Sequence, residues 1–427
     1  MKRLIQNIGW LLTGRGLNAV LSLVYLALAT RTLGLDGFGF FAIIVALGQT
    51  VTGIANFQTW QFVVRWGAGK DGPADATGFA IALDMLSVAA GTVIAAVLVY
   101  TAQLWLPLPS ELLWLTFGYC VVSLLAIRTT PTGLLRLRFQ FARATAAEAV
   151  QPIVRTIGAL LAVFFMPTVT GFILAWAASE VAIALALWIA AARMERIDLS
   201  RISLRRIPRD HSDAWRFVLS TNMSGSLIVA GKQVMILLVG AIGGEAFAGG
   251  FRVASQLGQA LVQLAQTVSK AIYPELVHAK DDAVEMARKM ANIALIAGVA
   301  AVLFALMFGR WGLETVAGED FGAFYWAMVI LAIAGAIELV GASLESLLVS
   351  AGNAGTAFIV RAIPMAVAFA LLESAMNWQG VKGAAFAMLG SSAVAVIGFW
   401  VAILSLQQIR IVLEPAKPET GKQNDTP

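Results

Sequence analysis

Cysteine occurs once, at Cys120 inside an apolar run, so no disulfide can form within the chain. Histidine occurs twice, at His211 and His278, in separate polar segments. One cysteine and two distant histidines cannot assemble a metal-ligand cluster, and no motif implies another cofactor. Charge is scarce as well. Asp, Glu, Lys and Arg make up 13% of 427 residues, where a soluble domain carries about 25%. No polar stretch is long enough to form a soluble domain. The formal net charge of +5 does not point to nucleic acid, because most basic residues sit in short gaps between apolar runs.

Those runs dominate the sequence, which is 59% hydrophobic. They are continuous rather than alternating, which excludes a membrane β-barrel. About 20 apolar residues cross a bilayer core as a helix. The runs predict an all-α polytopic membrane protein with spans at 8–29, 38–66, 78–104, 111–135, 146–166, 170–192, 214–239, 246–273, 289–308, 321–350, 354–374 and 383–406. Lys2 and Arg3 precede the first run, and Ala27-Leu-Ala29 resembles a signal-peptide cleavage site. The run is too long for a signal peptide and contains Arg15, so a retained first helix is expected. More than half of the Lys and Arg residues fall in one set of alternate loops, and Arg31, Arg310 and Lys382 fall in the other. That bias predicts cytoplasmic termini.

The first span and its exit form a unit that returns in the middle of the chain. Arg15 and Asn18 lie inside the first span, which ends in a turn at Arg31-Thr-Leu33-Gly34-Leu-Asp-Gly37-Phe-Gly39. From Trp215 to Phe251 a related unit carries Asn222 and Lys232 and exits at Gly240-Ala-Ile-Gly-Gly-Glu-Ala-Phe-Ala-Gly249-Gly250. The expected organisation is a six-helix bundle over 1–192, a basic cytoplasmic linker over 193–213 with six arginines, a second six-helix bundle over 214–406, and a disordered tail over 407–427. The bundles would be related by a pseudo-two-fold axis along the membrane normal. The linker charges are topogenic or bind anionic lipid head groups.

A charge at membrane depth persists where it faces protein or a wet cavity. Arg15, Lys232 and Arg252 are too deep to reach the surface, and no acid is adjacent to them in sequence. Arg65, Lys270 and Arg216 are shallow enough either to snorkel or to face the interior. Lys270 follows Arg252 by about five helical turns on the same face. Cations at several depths on the first two helices of each half form a path for a multiply charged anion. Candidate binding residues are therefore Arg15, Asn18, Arg65, Lys232, Arg252 and Lys270. Arg128, near an inner helix end, reads as structural. Glu345 and Arg361 are expected at one depth as a structural pair, and Arg155 lies two turns from Glu148, a candidate pair on one helix face. The buried acids Asp84, Glu148, Glu180 and Glu338 are each a candidate for ion coupling or for a structural bridge.

Several segments resemble one family. The exit Arg31-Thr-Leu33-Gly34 to Gly39, the second-span end Asn56-Phe-Gln58-Thr-Trp-Gln61-Phe-Val-Val64-Arg65, the loop Gly133-Leu-Leu-Arg136-Leu-Arg138-Phe139-Gln-Phe141, the eighth-span start Gly249-Gly-Phe251-Arg252-Val-Ala254 and the turn Ser350-Ala-Gly352-Asn353 are similar to motifs of the O-antigen-type polysaccharide flippases. These belong to the multidrug/oligosaccharidyl-lipid/polysaccharide exporter superfamily. The resemblance implies two six-helix bundles around a cavity that opens alternately to the two sides of a bacterial inner membrane. It implies a polyprenyl-pyrophosphate-linked oligosaccharide as substrate, held at the pyrophosphate by cavity cations, with membrane lipids and polysaccharide polymerase and assembly proteins as partners. Many family members carry an acid near the position of Lys232, so a lysine there favours anion binding over acid-based coupling. Two rivals lie within the superfamily. A multidrug exporter would favour acids in its cavity, and a peptidoglycan-precursor flippase resembles fourteen helices, not twelve. A membrane-embedded polymerase or ligase would need a large outer loop with catalytic Arg or His, so the expectation is a transporter and not an enzyme.

Overall fold

The computed structural model describes the backbone of residues 2–68, 72–195, 197–211, 213–277, 283–350 and 353–413. Side chains at 2–19, 210, 219–229, 261, 263–277, 283–291, 293–294, 343, 346–347, 349–350, 354 and 406–413, and the expected tail beyond 413, lie outside the described part. Among the described residues every regular element is a helix. Apolar runs leave a chain in lipid no other way to satisfy its backbone polar groups short of a closed barrel.

Helix α1 (Lys2–Ala55) contains the first span and most of the second. The expected turn over 31–39 is in fact a kink at one residue, Gly34 (φ 69°, ψ −173°), with helix on both sides. Positive φ there is open to glycine and strained for other residues. Helix α2 (Thr59–Gly67) completes the second span after a break at 56–58. Helix α3 (Gly72–Trp105) is the third. Helices α4 (Leu113–Leu125) and α5 (Thr129–Leu137) make a fourth span broken at 126–128. Helices α6 (Phe141–Glu148) and α7 (Val150–Phe165) make the fifth, and α8 (Val169–Ala192) the sixth.

The second set begins with α10 (Ala214–Gly243), after a short α9 (Arg206–Asp210) in the linker. It continues through α11 (Glu245–Val277), α12 (Ala283–Ala317) and α13 (Tyr325–Ser350). Helices α14 (Ala354–Ala370) and α15 (Leu372–Gln379) form one span bent by 52°. Helix α16 (Val381–Leu413) is last, so residues 407–413 of the expected disordered tail continue the helix. The described residues thus trace twelve spans in two six-helix bundles.

The bundles repeat at an offset of 210 residues, which superimposes Gly34 on Gly244, Gly39 on Gly249 and Phe41 on Phe251. Gly244 (φ 90°, ψ 176°) turns α10 into α11 as Gly34 turns the first span into the second. The α1 segment after Gly34 packs on α10 and α11. Phe38, Phe41, Ile43, Val239, Phe251 and Phe321 are buried together there. Large apolar side chains such as Tyr100, Leu104 and Phe165 are exposed on the outside of the bundles, where lipid solvates them.

The linker is less polar in its packing than in its composition. Ile207 is fully buried with Phe62, Trp66, Phe79, Ala214 and Val218. Asp75 on α3 binds Arg201 at 3.0 Å and Arg206 at 3.3 Å. A Cβ at Gly78 would stand 2.2 Å from the Arg201 carbonyl oxygen, so the linker backbone lies directly on α3. The Ser200 hydroxyl donates to Asp198 and holds that carboxyl below its usual pKa. The strap therefore ties the base of α10 to the first bundle by packing as well as by charge.

Candidate functional site

A cavity of about 220 Å³ lies between the bundles, below the Gly34 and Gly244 kinks. Phe38, Phe41, Leu26 and Ile236 line its apolar end; Arg155, Lys232, Arg252 and a set of glutamines line the rest. The 210-residue offset relates Leu26 to Ile236 and Gln49 to Gln259, and all four line this cavity. Both bundles therefore contribute equivalent positions to it.

Arg252 projects from α11, and its Nη1 donates to the Ala42 carbonyl oxygen at 3.3 Å. Among the described residues no carboxylate pairs with it. Such a cation, taken out of bulk water, is stabilised by an anion entering the cavity.

Lys232 also lines the cavity, but it has a partner that sequence adjacency did not disclose. Its Nζ lies 3.5 Å from Glu338 Oε2 on α13. Charge-assisted hydrogen bonds run to about 2.7–2.9 Å, so this pair is loose and leaves Lys232 donors for a ligand. Ser392 Oγ on α16 donates to the other Glu338 oxygen at 3.1 Å.

Arg155 was expected beside Glu148. Instead Glu148 is the exposed last residue of α6, and Arg155 reaches across to Glu180 on α8 at 3.0 Å. Its guanidinium lies 4.6 Å from the Trp176 ring centroid and 5.3 Å from that of Tyr25. Each such cation–π contact contributes roughly 0.5–2 kcal/mol. Arg155 is thus a cavity residue that sequence reasoning placed elsewhere. A signal existed: Arg155 and Glu180 are nearly equidistant from the turn at 166–168, which brings them level in the α7–α8 hairpin. Arg128 joins the same carboxylate at 3.1 Å and Gln151 at 2.9 Å. Arg128 is the N-cap residue of α5, at the break between α4 and α5.

The remaining candidates lie elsewhere. Arg65 does not line the cavity. It pairs with Asp213 at 3.0 Å and covers the rings of Trp66 and Phe217, because the strap draws the base of α10 over it. The side chains of Arg15, Asn18 and Lys270 lie outside the described residues. Arg361 donates to Glu345 at 2.5 Å, between α14 and α13. Asp84 is buried and has no ion pair among the described residues; it accepts from Thr59 at 3.0 Å, Thr129 at 3.1 Å and Thr130 at 2.5 Å. The described residues contain no cluster of His, Cys, Asp and Glu able to hold a metal.

The family profile described as "Polysaccharide biosynthesis protein" matches residues 4–280, more than half of the chain. The chain belongs to the polysaccharide biosynthesis protein family. Within it, this polysaccharide biosynthesis protein is similar to "Inner membrane protein YghQ" of Escherichia coli (strain K12). Identity is 28% over 297 residues, covering 65% of this chain and 81% of that one. Its fold is similar to "Lipid II flippase MurJ, inward closed conformation", with a TM-score of 0.71 at 11% identity, over 96% of this chain and 93% of that one. It is also similar to the Vibrio cholerae MATE transporter VcmN in the bent form, with a TM-score of 0.59 at 17% identity, over 96% and 99%. At these identities the two structures speak to the fold alone.

Proposed function

We propose that this protein is a flippase that moves a polyprenyl-pyrophosphate-linked oligosaccharide from the inner to the outer leaflet of a bacterial inner membrane, for surface polysaccharide biosynthesis. The observation that carries the reading is Arg252: a guanidinium in a cavity between two pseudo-symmetric bundles, without a carboxylate partner among the described residues. Arg155 and the loosely held Lys232 flank it. A pyrophosphate brings several charges and strong acceptors to such a site. Transport then requires no covalent step, only rocking of 1–192 against 214–406 around the bound anion.

Family membership supports a polysaccharide precursor as cargo, and the name of the E. coli relative supports the inner membrane. The Lys and Arg bias supports cytoplasmic termini, which puts Gly34 and Gly244 at the periplasmic face and makes this form closed on that side. A multidrug-type exporter of cationic compounds fits the cavity less well, because Glu180 and Glu338 are already held by basic side chains.

The test is surface polysaccharide in a deletion strain complemented with variants at native expression. Arg252→Ala is expected to cut export about tenfold or more, since a hydrogen bond to a charged group contributes about 1.5–3 kcal/mol. Lys232→Ala should have a smaller effect. Arg252→Lys should restore less than its charge suggests, because it loses the two-donor grip on phosphate. Full export by Arg252→Ala would remove the cationic site from the mechanism.

A further inference from the structure

We infer that the cavity holds, beside its cationic pole, a separate subsite for an uncharged sugar: the ring next to the pyrophosphate, bound by the side-chain amides of Gln233, Gln256 and Gln259. This rests on the pyrophosphate-linked cargo proposed above and adds which part of it the second zone reads.

Helix α11 lays out the two zones along one face. Arg252, Gln256 and Gln259 follow each other at helical spacings of four and three residues and all line the cavity. Gln259 lies about 10 Å further along the helix than Arg252. Gln233 on α10 and Gln49 on α1 line the same cavity. Gln49 is the pseudo-symmetric counterpart of Gln259, so the amide zone receives contributions from both bundles.

The hydrogen-bond inventory decides the ligand chemistry. Gln256 Nε2 donates to the Tyr25 hydroxyl at 3.4 Å, and Gln259 Nε2 donates to Ser255 Oγ at 3.0 Å. Each amide therefore spends one of its two N–H donors on the protein and keeps the other together with its carbonyl oxygen. Among the described residues, Gln233 Oε1 is buried and meets no hydrogen-bond donor. A buried acceptor without a donor is costly and is satisfied when a ligand brings one. An ionised pyrophosphate accepts from amide N–H donors but has no proton to give, so it would leave Gln233 Oε1 unsatisfied. A sugar ring brings hydroxyl or acetamido donors. A carboxylate on the ring has no proton for Gln233 Oε1 where a hydroxyl has one, so the subsite favours a neutral ring.

The experiment uses the full chain in lipid nanodiscs, with two probes: a polyprenyl pyrophosphate, and the same lipid carrying one N-acetylglucosamine. Wild type is expected to bind the sugar-bearing lipid more tightly. The double variant Gln256→Ala, Gln259→Ala should lose about tenfold for the sugar-bearing lipid and bind the bare one as wild type does, since two neutral hydrogen bonds are at stake. Arg252→Ala should weaken both. Gln233→Met provides a second variant of similar length and shape should the double variant fold poorly, and the same selective loss is expected of it. Equal affinity of wild type for the two lipids, or parallel loss of both by the glutamine variants, would overturn the subsite while leaving the pyrophosphate site in place. Binding of neither lipid by wild type would overturn the proposed cargo and the subsite together.

Discussion

Gly39 and Gly249, one from each bundle, meet backbone to backbone at the kinked end of the molecule. A Cβ on Gly249 would stand 3.0 Å from both Cα and N of Gly39, and a Cβ on Gly39 only 2.1 Å from the Glu245 carbonyl oxygen. Backbone cannot rotate away as a side chain can, so any larger residue must push the bundles apart there. The prediction is that Gly39→Ala opens this end. Spin labels at Asp36 and Glu319, both exposed near this end, in a Cys120→Ser background, should show a distance longer by several ångströms than in the parent. An unchanged distance distribution would mean that the contact does not hold this end closed.

Asp84 joins two broken spans. Its carboxylate accepts from Thr59 in the first turn of α2 and from Thr129 and Thr130 in the first turn of α5. One turn further along α3, Ser87 Oγ donates to the Ala55 carbonyl oxygen at the end of α1, at 2.6 Å. Helix N-termini favour negative charge and need acceptors. Asp84→Ala should therefore cost about 2–4 kcal/mol, the scale of two lost caps, and Asp84→Asn less, because one acceptor oxygen remains. Thermal unfolding of the purified variants checks the order. Equal melting temperatures for wild type and Asp84→Ala would contradict the clasp.

Glu180 has two cations where one would suffice. Arg155→Ala leaves Arg128 on the carboxylate, and Arg128→Ala leaves Arg155. Each single loss is expected to be modest in stability. Losing both strands a buried charge and should cost about 3–5 kcal/mol, well above the sum of the singles. Additive losses in a double-mutant cycle would show that the two arginines act separately.

The proposed orientation makes a direct prediction about labelling. A cysteine at Arg205 should react with a membrane-impermeant thiol reagent only after the cells are opened, and one at Asp36 should react in intact cells. Both side chains are exposed. Reaction of position 205 from outside would reverse the topology and the direction of transport with it.

Some of this protein could be derived from sequence alone. Apolar runs of membrane length required helices, since the backbone has no other partner in lipid, and charge scarcity ruled out a soluble domain. The unit that repeats after 210 residues announced two bundles. Glu345 and Arg361 were also accessible, because residues equidistant from a short connection meet in a helical hairpin, and the gap between the two apolar runs lies about midway between them. The same arithmetic applies to Arg155 and Glu180, while helix-face spacing pointed to Glu148.

Tertiary structure decided the rest. Lys232 and Glu338 are 106 residues apart on helices not joined by a turn, and no periodicity predicts which face of α13 meets α10. Arg65 is polar and near a helix end, yet the strap turns it toward Asp213 and away from the cavity. Arg252 and Lys232 are both deep cations in sequence; only the packing leaves one without a carboxylate partner among the described residues and gives the other a loose one. Helical periodicity specifies which residues share a face, but the rotation of each helix about its axis is set by packing against neighbours distant in the chain. That rotation determines which charges neutralise each other and which remain for a ligand.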